Sequence, residues 1–251
     1  MVHFVGAGPG AEDLITVRGL NYIKEADVII YAGSLVNPAL LKYAKSECKV
    51  YNSAYMTLEE VIDVTVKAEK KGLTTVRLHT GDPSIYGAIR EQMDELEKRS
   101  IDFDVCPGVS SFFGAAAALK LEYTLPDVSQ SVIISREEGR TPVPKKEKLC
   151  MLAKHQATMV LFLSSGMSEK VKGNLIEGGY SPDTPVAVIY KATWPEEKII
   201  RTTLENLPKD MEKENITKTA LIIVGRVLGN SYSKSKLYDA NFTTEFRKGK
   251  D

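Results

Sequence analysis

Val2-His-Phe-Val-Gly-Ala-Gly-Pro-Gly-Ala11 sets a short apolar run directly against a glycine-rich turn. So brief a run, broken so abruptly, reads as a β-strand running into a loop. A helical pattern follows, with Val17, Leu20 and Ile23 on one face, and then Val28-Ile-Ile-Tyr31, a continuous β-rich run. Runs of that kind belong to strands covered on both faces of a parallel sheet. The same alternation continues. Thr57-Leu-Glu-Glu60 is a capping box, in which the Thr hydroxyl and the Glu carboxylate satisfy each other's backbone N–H. It opens a helix expected to reach about Lys71, with Gly72 closing it. Thr75–His79 reads as a strand, Ile85–Lys98 as a helix, Phe103–Cys106 as a strand and Phe112–Leu119 as an Ala-rich helix. Strands that alternate with helices predict a mostly parallel sheet with helices on its faces.

From Leu121 to Ser131 periodicity is lost and Pro126 interrupts the chain. The expected organisation is therefore α/β in two α/β domains: an N-terminal domain over 1–122 with a mostly parallel sheet, and a C-terminal domain over 123–229. In the second, Val132–Ser135 and Met159–Leu163 read as strands, and helices are expected up to about His155 and over Ser168–Glu177. Val186–Tyr190 and Lys198–Leu204 are joined by a short turn around Trp194-Pro195, which forces an antiparallel hairpin. Leu207–Lys213 reads as a helix and Ala220–Val224 as a strand, so the second sheet is mixed. The polar tail over 230–251 has no period and reads as a flexible end or a strap on a neighbour.

Composition narrows the function classes. Hydrophobic residues make up 43% of the 251, enough for a real core and too many for a disordered chain. Lys plus Arg equals Asp plus Glu at 33, so the global basic excess of a nucleic-acid binder is missing and any anion site must be local. No apolar run reaches the ~18–20 residues of a membrane span. The N-terminus does not read as a signal peptide. Cys48, Cys106 and Cys150 are odd in number and far apart, the usage of reduced thiols in a cytoplasmic protein. His3, His79 and His155 stand alone, so no metal site is expected.

Three turns carry the chemistry. Gly6–Ala11 fits the loose pattern G-x-G-x-x-G/A, which admits a tight turn, a dinucleotide cradle or another ligand site. Against a nicotinamide-dependent oxidoreductase stand Pro9, which has no N–H to offer a pyrophosphate, and the second strand, which ends in Tyr31-Ala-Gly without an acidic residue. Thr80-Gly-Asp-Pro-Ser-Ile-Tyr-Gly87 follows a strand, where open α/β sheets bind ligands, yet it also reads as a plain helix start. Pro107-Gly-Val-Ser-Ser111 likewise follows a strand and also reads as a cap. Their coincidence raises the functional reading, since all three turns can lie on one edge of one parallel sheet.

GAGPGAEDLITVRGLNYIKEADVIIYAG, HTGDPSIYG and CPGVSS, in this order and spacing, resemble the tetrapyrrole (corrin/porphyrin) methyltransferases. The likeness runs to TALIIVGRV and covers about the first 228 residues. LPDVSQSVIISREEGRTPVP, VLFLSSGM and PVAVIYKATWPEEKIIRTTL narrow it to the members that methylate a precorrin; a uroporphyrinogen methylase or, more remotely, a diphthine-synthase-like methylase are the alternatives. The resemblance implies an active-site trough between the two domains, S-adenosylmethionine as donor with S-adenosylhomocysteine as product, a tetrapyrrole substrate, and a homodimer without nucleic-acid or membrane partners. It implies donor contacts at Pro9, Thr80, Gly81, Asp82, Ile85, Ser110 and Ser111, and from the second domain at Ser164, Ala192 and Ala220. Ser164 stands where a methionine is common in the uroporphyrinogen enzymes. A substrate rich in carboxylates needs local cations. Arg136 and Arg140 are the candidates, then Lys191 and Arg201, against the plainer reading that Glu137 and Glu138 pair with the two arginines. No nucleophile or general base stands out.

Overall fold

In the computed structural model, which describes residues 1–33 and 35–249, the chain divides into two units. One is Met1–Ala115 with Ala192–Pro195, the other Ala116–Lys191 with Glu196–Asp251. The first carries β1 (Val2–Gly6), β2 (Val28–Tyr31), β3 (Lys49–Asn52), β4 (Thr75–His79) and β5 (Phe103–Cys106) in the order β3-β2-β4-β1-β5, every neighbour parallel. Parallel strands need covering on both faces. On one face Val5, Ile29, Val76 and Leu78 pack with Ile23 of α1 (Val17–Glu25). On the other, Val2 and Phe4 pack with Ile62 of α2 (Leu58–Glu69) and Leu96 of α3 (Arg90–Glu97). α4 (Ser111–Leu119) follows the last of these strands.

The capping box forms as expected: Glu60 N–H donates to Thr57 Oγ1 at 3.3 Å and Thr57 N–H to Glu60 Oε2 at 2.8 Å. The helix ends at Glu69, with Gly72 left-handed at φ +66° beyond it. Two expectations are corrected. β3 was not anticipated; it is an edge strand with Lys49 and Val50 exposed, so it lacks the buried pattern that marks its neighbours. The helix expected over Ile85–Lys98 begins only at Arg90. Tyr86 and Ala88 sit at φ +56° and +50°, and two left-handed residues cannot belong to a right-handed helix.

The second unit holds β6 (Val132–Arg136), β7 (Thr158–Phe162), β8 (Pro185–Tyr190), β9 (Lys198–Thr203) and β10 (Ala220–Val224) in the order β6-β7-β10-β8-β9. β6 and β7 are parallel; the remaining pairs are antiparallel, including the β8–β9 hairpin. Its core joins Met159, Leu161, Val186, Val188 and Ile222 to α6 (Ser168–Glu177) and α7 (Leu207–Lys213). The helical stretch before His155 is broken into α5 (Leu149–Leu152) and 3-10 turns on either side. The described tail, 230–249, is turns and extended chain with Tyr238 and Phe246 fully exposed. Among the described residues no helix is long and apolar enough to cross a membrane.

Candidate active site

β4, β1 and β5 are adjacent and parallel, so the turns that follow them emerge side by side at the carboxyl edge of the first sheet. The turns also hold each other. Gly8 N–H donates to the Gly81 carbonyl at 3.2 Å and Gly81 N–H to the Gly8 carbonyl at 2.8 Å, a two-way bridge between the first turn and the second. The third turn closes on both. A Cβ on Gly108 would lie 2.2 Å from the Gly81 carbonyl oxygen and 2.7 Å from Gly6 Cα, so three backbones meet where only glycine fits. Gly81 itself is left-handed at φ +59°.

Asp82 is the latch. Its Oδ2 accepts from Gly108 N–H at 2.8 Å, and its Oδ1 accepts from Ser84 N–H at 2.9 Å and from the Ser84 hydroxyl. Partial burial works against the charge, but these hydrogen bonds outweigh it and hold the carboxyl below its usual range. Ser110 is buried and its carbonyl starts α4 by accepting from Phe113 N–H at 3.0 Å; Ser111 N–H lies 3.1 Å from where a Gly81 Cβ would stand. The structure thus gathers Pro9, Thr80, Gly81, Asp82, Ser110 and Ser111 on one edge, with Ile85 on the turn that leaves it.

Ala192–Pro195 belongs to the same unit. Trp194 Nε1 donates to the Pro9 carbonyl at 3.2 Å, and Ala11 N–H donates to Thr193 Oγ1 at 3.0 Å. Gly10 has no room for a Cβ, which would lie 2.0 Å from the Trp194 ring and 2.9 Å from the Ala192 carbonyl. Thr193 adopts φ +68°, an outlier for a β-branched residue, sustained by these contacts. The resemblance implies a donor contact at Ala192; Thr193 and Trp194, which clasp the first turn beside it, are signalled in the sequence only by the lone tryptophan at a hairpin turn.

In the second unit, Ser164 is fully buried, and its hydroxyl accepts from Glu137 N–H at 2.8 Å and donates to the Phe162 carbonyl at 2.6 Å. Both of its roles are used in fixing the loop after β6. Ala220 heads β10 opposite Tyr190, and Lys191 N–H donates to the Thr219 carbonyl at 3.0 Å. The two arginines of the 136–144 loop differ. Arg136 donates to the carbonyls of Glu137, Thr141 and Pro142 at 3.3, 3.1 and 2.7 Å, folding the loop around its own guanidinium. Arg140 is exposed and has no hydrogen-bond or ion-pair partner among the described residues. Neither pairs with the adjacent acids. Glu137, 3% exposed, meets Lys170 at 3.0 Å and Asn174 at 2.7 Å, and Glu138 lies 3.8 Å from Lys148. Lys191 lies 3.6 Å from Glu196, and Arg201, exposed on β9, donates to the Leu119 carbonyl at 3.3 Å.

The chain is similar to known proteins. Residues 1–208 match the family described as Tetrapyrrole (Corrin/Porphyrin) Methylases. A relative in Methanocaldococcus jannaschii, named cobalt-precorrin-4 C(11)-methyltransferase, is 62% identical over 98% of this chain and 96% of its own. The X-ray structure of a cobalt precorrin-4 methyltransferase, a cobalamin biosynthetic enzyme, superposes with a TM-score of 0.89 at 49% identity, covering 91% of this chain and 96% of that one. The uroporphyrin-III C-methyl transferase of Thermus thermophilus, solved with S-adenosyl homocysteine, gives a TM-score of 0.75 at 26% identity over 90% of this chain and 92% of that one.

Proposed function

The chain belongs to the tetrapyrrole (corrin/porphyrin) methylases, and from that membership we infer that it transfers the methyl group of S-adenosylmethionine to C11 of a precorrin-4 ring in cobalamin biosynthesis. The observation that carries the inference is the 62% identity, over nearly the whole of both chains, to a cobalt-precorrin-4 C(11)-methyltransferase. The same relative favours the cobalt-bearing form of the substrate.

The first unit's edge fits the donor. We read the three turns, packed so closely that a Cβ at Gly81 would stand 3.1 Å from Ser111 N, as a backbone-lined cradle whose small residues let a ligand approach main-chain N–H and C=O groups directly. Pro9, Thr80, Gly81, Asp82, Ile85, Ser110, Ser111 and Ala192 are the contacts there; Ser164 and Ala220, which the resemblance also implies, lie in the second unit. Asp82 acts by holding the second and third turns together at the cradle. Bound there, the donor supplies a methyl group on a positively charged sulfur, an electrophile that needs no activation by the protein. The acceptor carbon of a reduced tetrapyrrole is enamine-like and nucleophilic. The protein's work is then alignment, and good orientation supplies about 7–11 kcal/mol of rate enhancement. The reading assigns the enzyme no metal of its own. Arg140 is the leading cation for the acceptor's carboxylates, with Arg136, Lys191 and Arg201 behind it. Homodimerisation and a cytoplasmic location follow the family pattern.

Incubation with carbon-labelled methyl donor and precorrin-4, in its cobalt and metal-free forms, locates the new methyl group by carbon NMR. A label on C11 is expected, with the cobalt form turned over faster. A label on any other carbon would refute the regiochemistry.

A further inference from the structure

Beneath the second turn, on the α2 and α3 face of the first sheet, lies a buried cation that has no ion-pair partner among the described residues. Arg77 of β4 is 7% exposed. Its Nε donates to Gln92 Oε1 at 2.8 Å, one terminal nitrogen to the Ile30 carbonyl at 2.9 Å and the other to Ser53 Oγ at 3.1 Å. All three partners are neutral, and two of the five N–H groups of the guanidinium remain. Burial lowers its pKa only to about 10, so it is charged at neutral pH. A buried charge lacking a counter-ion is costly and is normally paired.

Two residues along, on the same face, is His79, 4% exposed. Burial, assisted by the charge of Arg77, pushes its pKa down to about 3, so the imidazole is neutral and has a single N–H to give. Its Nε2 is buried and has no hydrogen-bond partner among the described residues. Both side chains line a pocket of about 250 Å³ with Ser53, Thr80 and Tyr86. The sole acid in its lining, Glu91, is exposed and makes no ion pair with Arg77. A cation and an orphaned imidazole facing a small cavity describe an anion's place, and the shape of the charge suits a flat, bidentate group.

We propose that this pocket is a carboxylate subsite, in which Arg77 supplies the charge and His79 a neutral hydrogen bond to one carboxylate of a bound substrate. The source rests on the methyltransferase reading, because both substrates carry the group: the donor at its amino-acid end and the acceptor on its ring side chains. Thr80, which lines the pocket, also stands at the donor edge, so either source is within the chemistry.

Propionate titrated into the wild-type protein, followed at the His79 imidazole nitrogens by NMR with propionamide as the neutral control, tests the pocket independently of that reading. Propionate alone is expected to shift them; no shift overturns the proposal. His79→Phe, which removes the N–H, and His79→Gln, which keeps one, then identify the source. Calorimetry with S-adenosylhomocysteine reads the donor, and fluorescence titration with uroporphyrin, an eight-carboxylate tetrapyrrole, reads the acceptor. A tenfold or greater loss in His79→Phe, recovered in His79→Gln, is expected for one ligand and assigns the carboxylate to it. Unchanged affinity for both in a folded His79→Phe variant overturns the proposal. Wild-type protein that responds to propionate but binds no S-adenosylhomocysteine would instead refute the methyltransferase reading and leave the pocket standing.

Discussion

Trp194 Nε1 donates to the carbonyl of Pro9 at 3.2 Å, a hydrogen bond that joins residues 185 positions apart. The first turn is therefore held from two sides, by Gly81 through backbone bonds and by a hairpin tip from the far end of the chain. Trp194→Phe keeps the ring against Gly10 but removes the donor. A single hydrogen bond contributes about 0.5–1.5 kcal/mol. S-adenosylhomocysteine affinity is expected to fall by roughly 2- to 10-fold at that scale, with a small drop in melting temperature. Calorimetry on the folded variant reads both; unchanged affinity would make the contact purely structural.

The meeting of three backbones at Gly108 makes a sharper prediction. In Gly108→Ala the new Cβ lies 2.2 Å from a carbonyl oxygen and 2.7 Å from a Cα, neither of which can rotate away. The turns must separate, with loss of several kcal/mol of stability and of donor binding. Gly173→Ala is the control: it sits in exposed mid-helix in α6 with nothing within 4 Å of the new atom. It should stabilise by about 0.5–1 kcal/mol. Chemical denaturation of the two variants should move in opposite directions.

Asp82 links the site to acid. Its pKa is depressed in the folded protein, so its contribution is complete above the ordinary value of 3.8 and is lost as pH falls through the lower folded value. In Asp82→Asn one oxygen becomes an NH₂ that confronts either Gly108 N–H or Ser84 N–H, donor against donor. The variant should be less stable than wild type at neutral pH, and the gap should close below pH 3.8 as the wild-type carboxyl protonates. Denaturation curves across that range check the sign; a gap that widens on acidification would contradict it.

The two arginines of the 136–144 loop separate structure from recognition. Arg136→Ala releases three carbonyls at once and should loosen the loop, raising its protease sensitivity. Arg140→Ala removes an exposed, unpartnered cation and should leave melting unchanged while raising the KM for the tetrapyrrole several-fold. S-adenosylhomocysteine affinity should be unaffected in Arg140→Ala. If the tetrapyrrole KM is also unchanged, Arg140 lies on a merely solvated face.

Much of this was legible in the chain because local signals and tertiary context agree in the first unit. Thr75–His79 and Phe103–Cys106 have the bounds that the apolar runs predicted, and the Thr57 capping box marks its helix start. Alternation of strands and helices implied the parallel sheet, and that sheet brings the three turns to one edge. What the sequence hid depends on partners remote in the chain. Lys49–Asn52 is a strand because β2 offers it an edge, not because its own residues alternate. The delayed start of α3 reflects the reversal at Tyr86 and Ala88, which no propensity signals. Trp194 gives no hint of Pro9, and Arg77 and His79 look like ordinary polar positions in an alternating strand until their shared face and missing acid are seen.

The first unit is not one continuous stretch, because Ala192–Pro195 completes it. During synthesis the ribosome therefore delivers the five parallel strands and all three glycine turns well before Trp194 emerges, and domains generally fold in order as they are made. The nascent first turn must wait with Gly10 uncovered and the Pro9 carbonyl unclaimed until β8 has been made and the hairpin tip follows. A chain halted between Ala115 and Ala192 would carry every residue of the glycine edge without the clasp that fastens it. Timing is thus written into the topology: the clasp on the first turn becomes available only to a polypeptide whose second half has arrived.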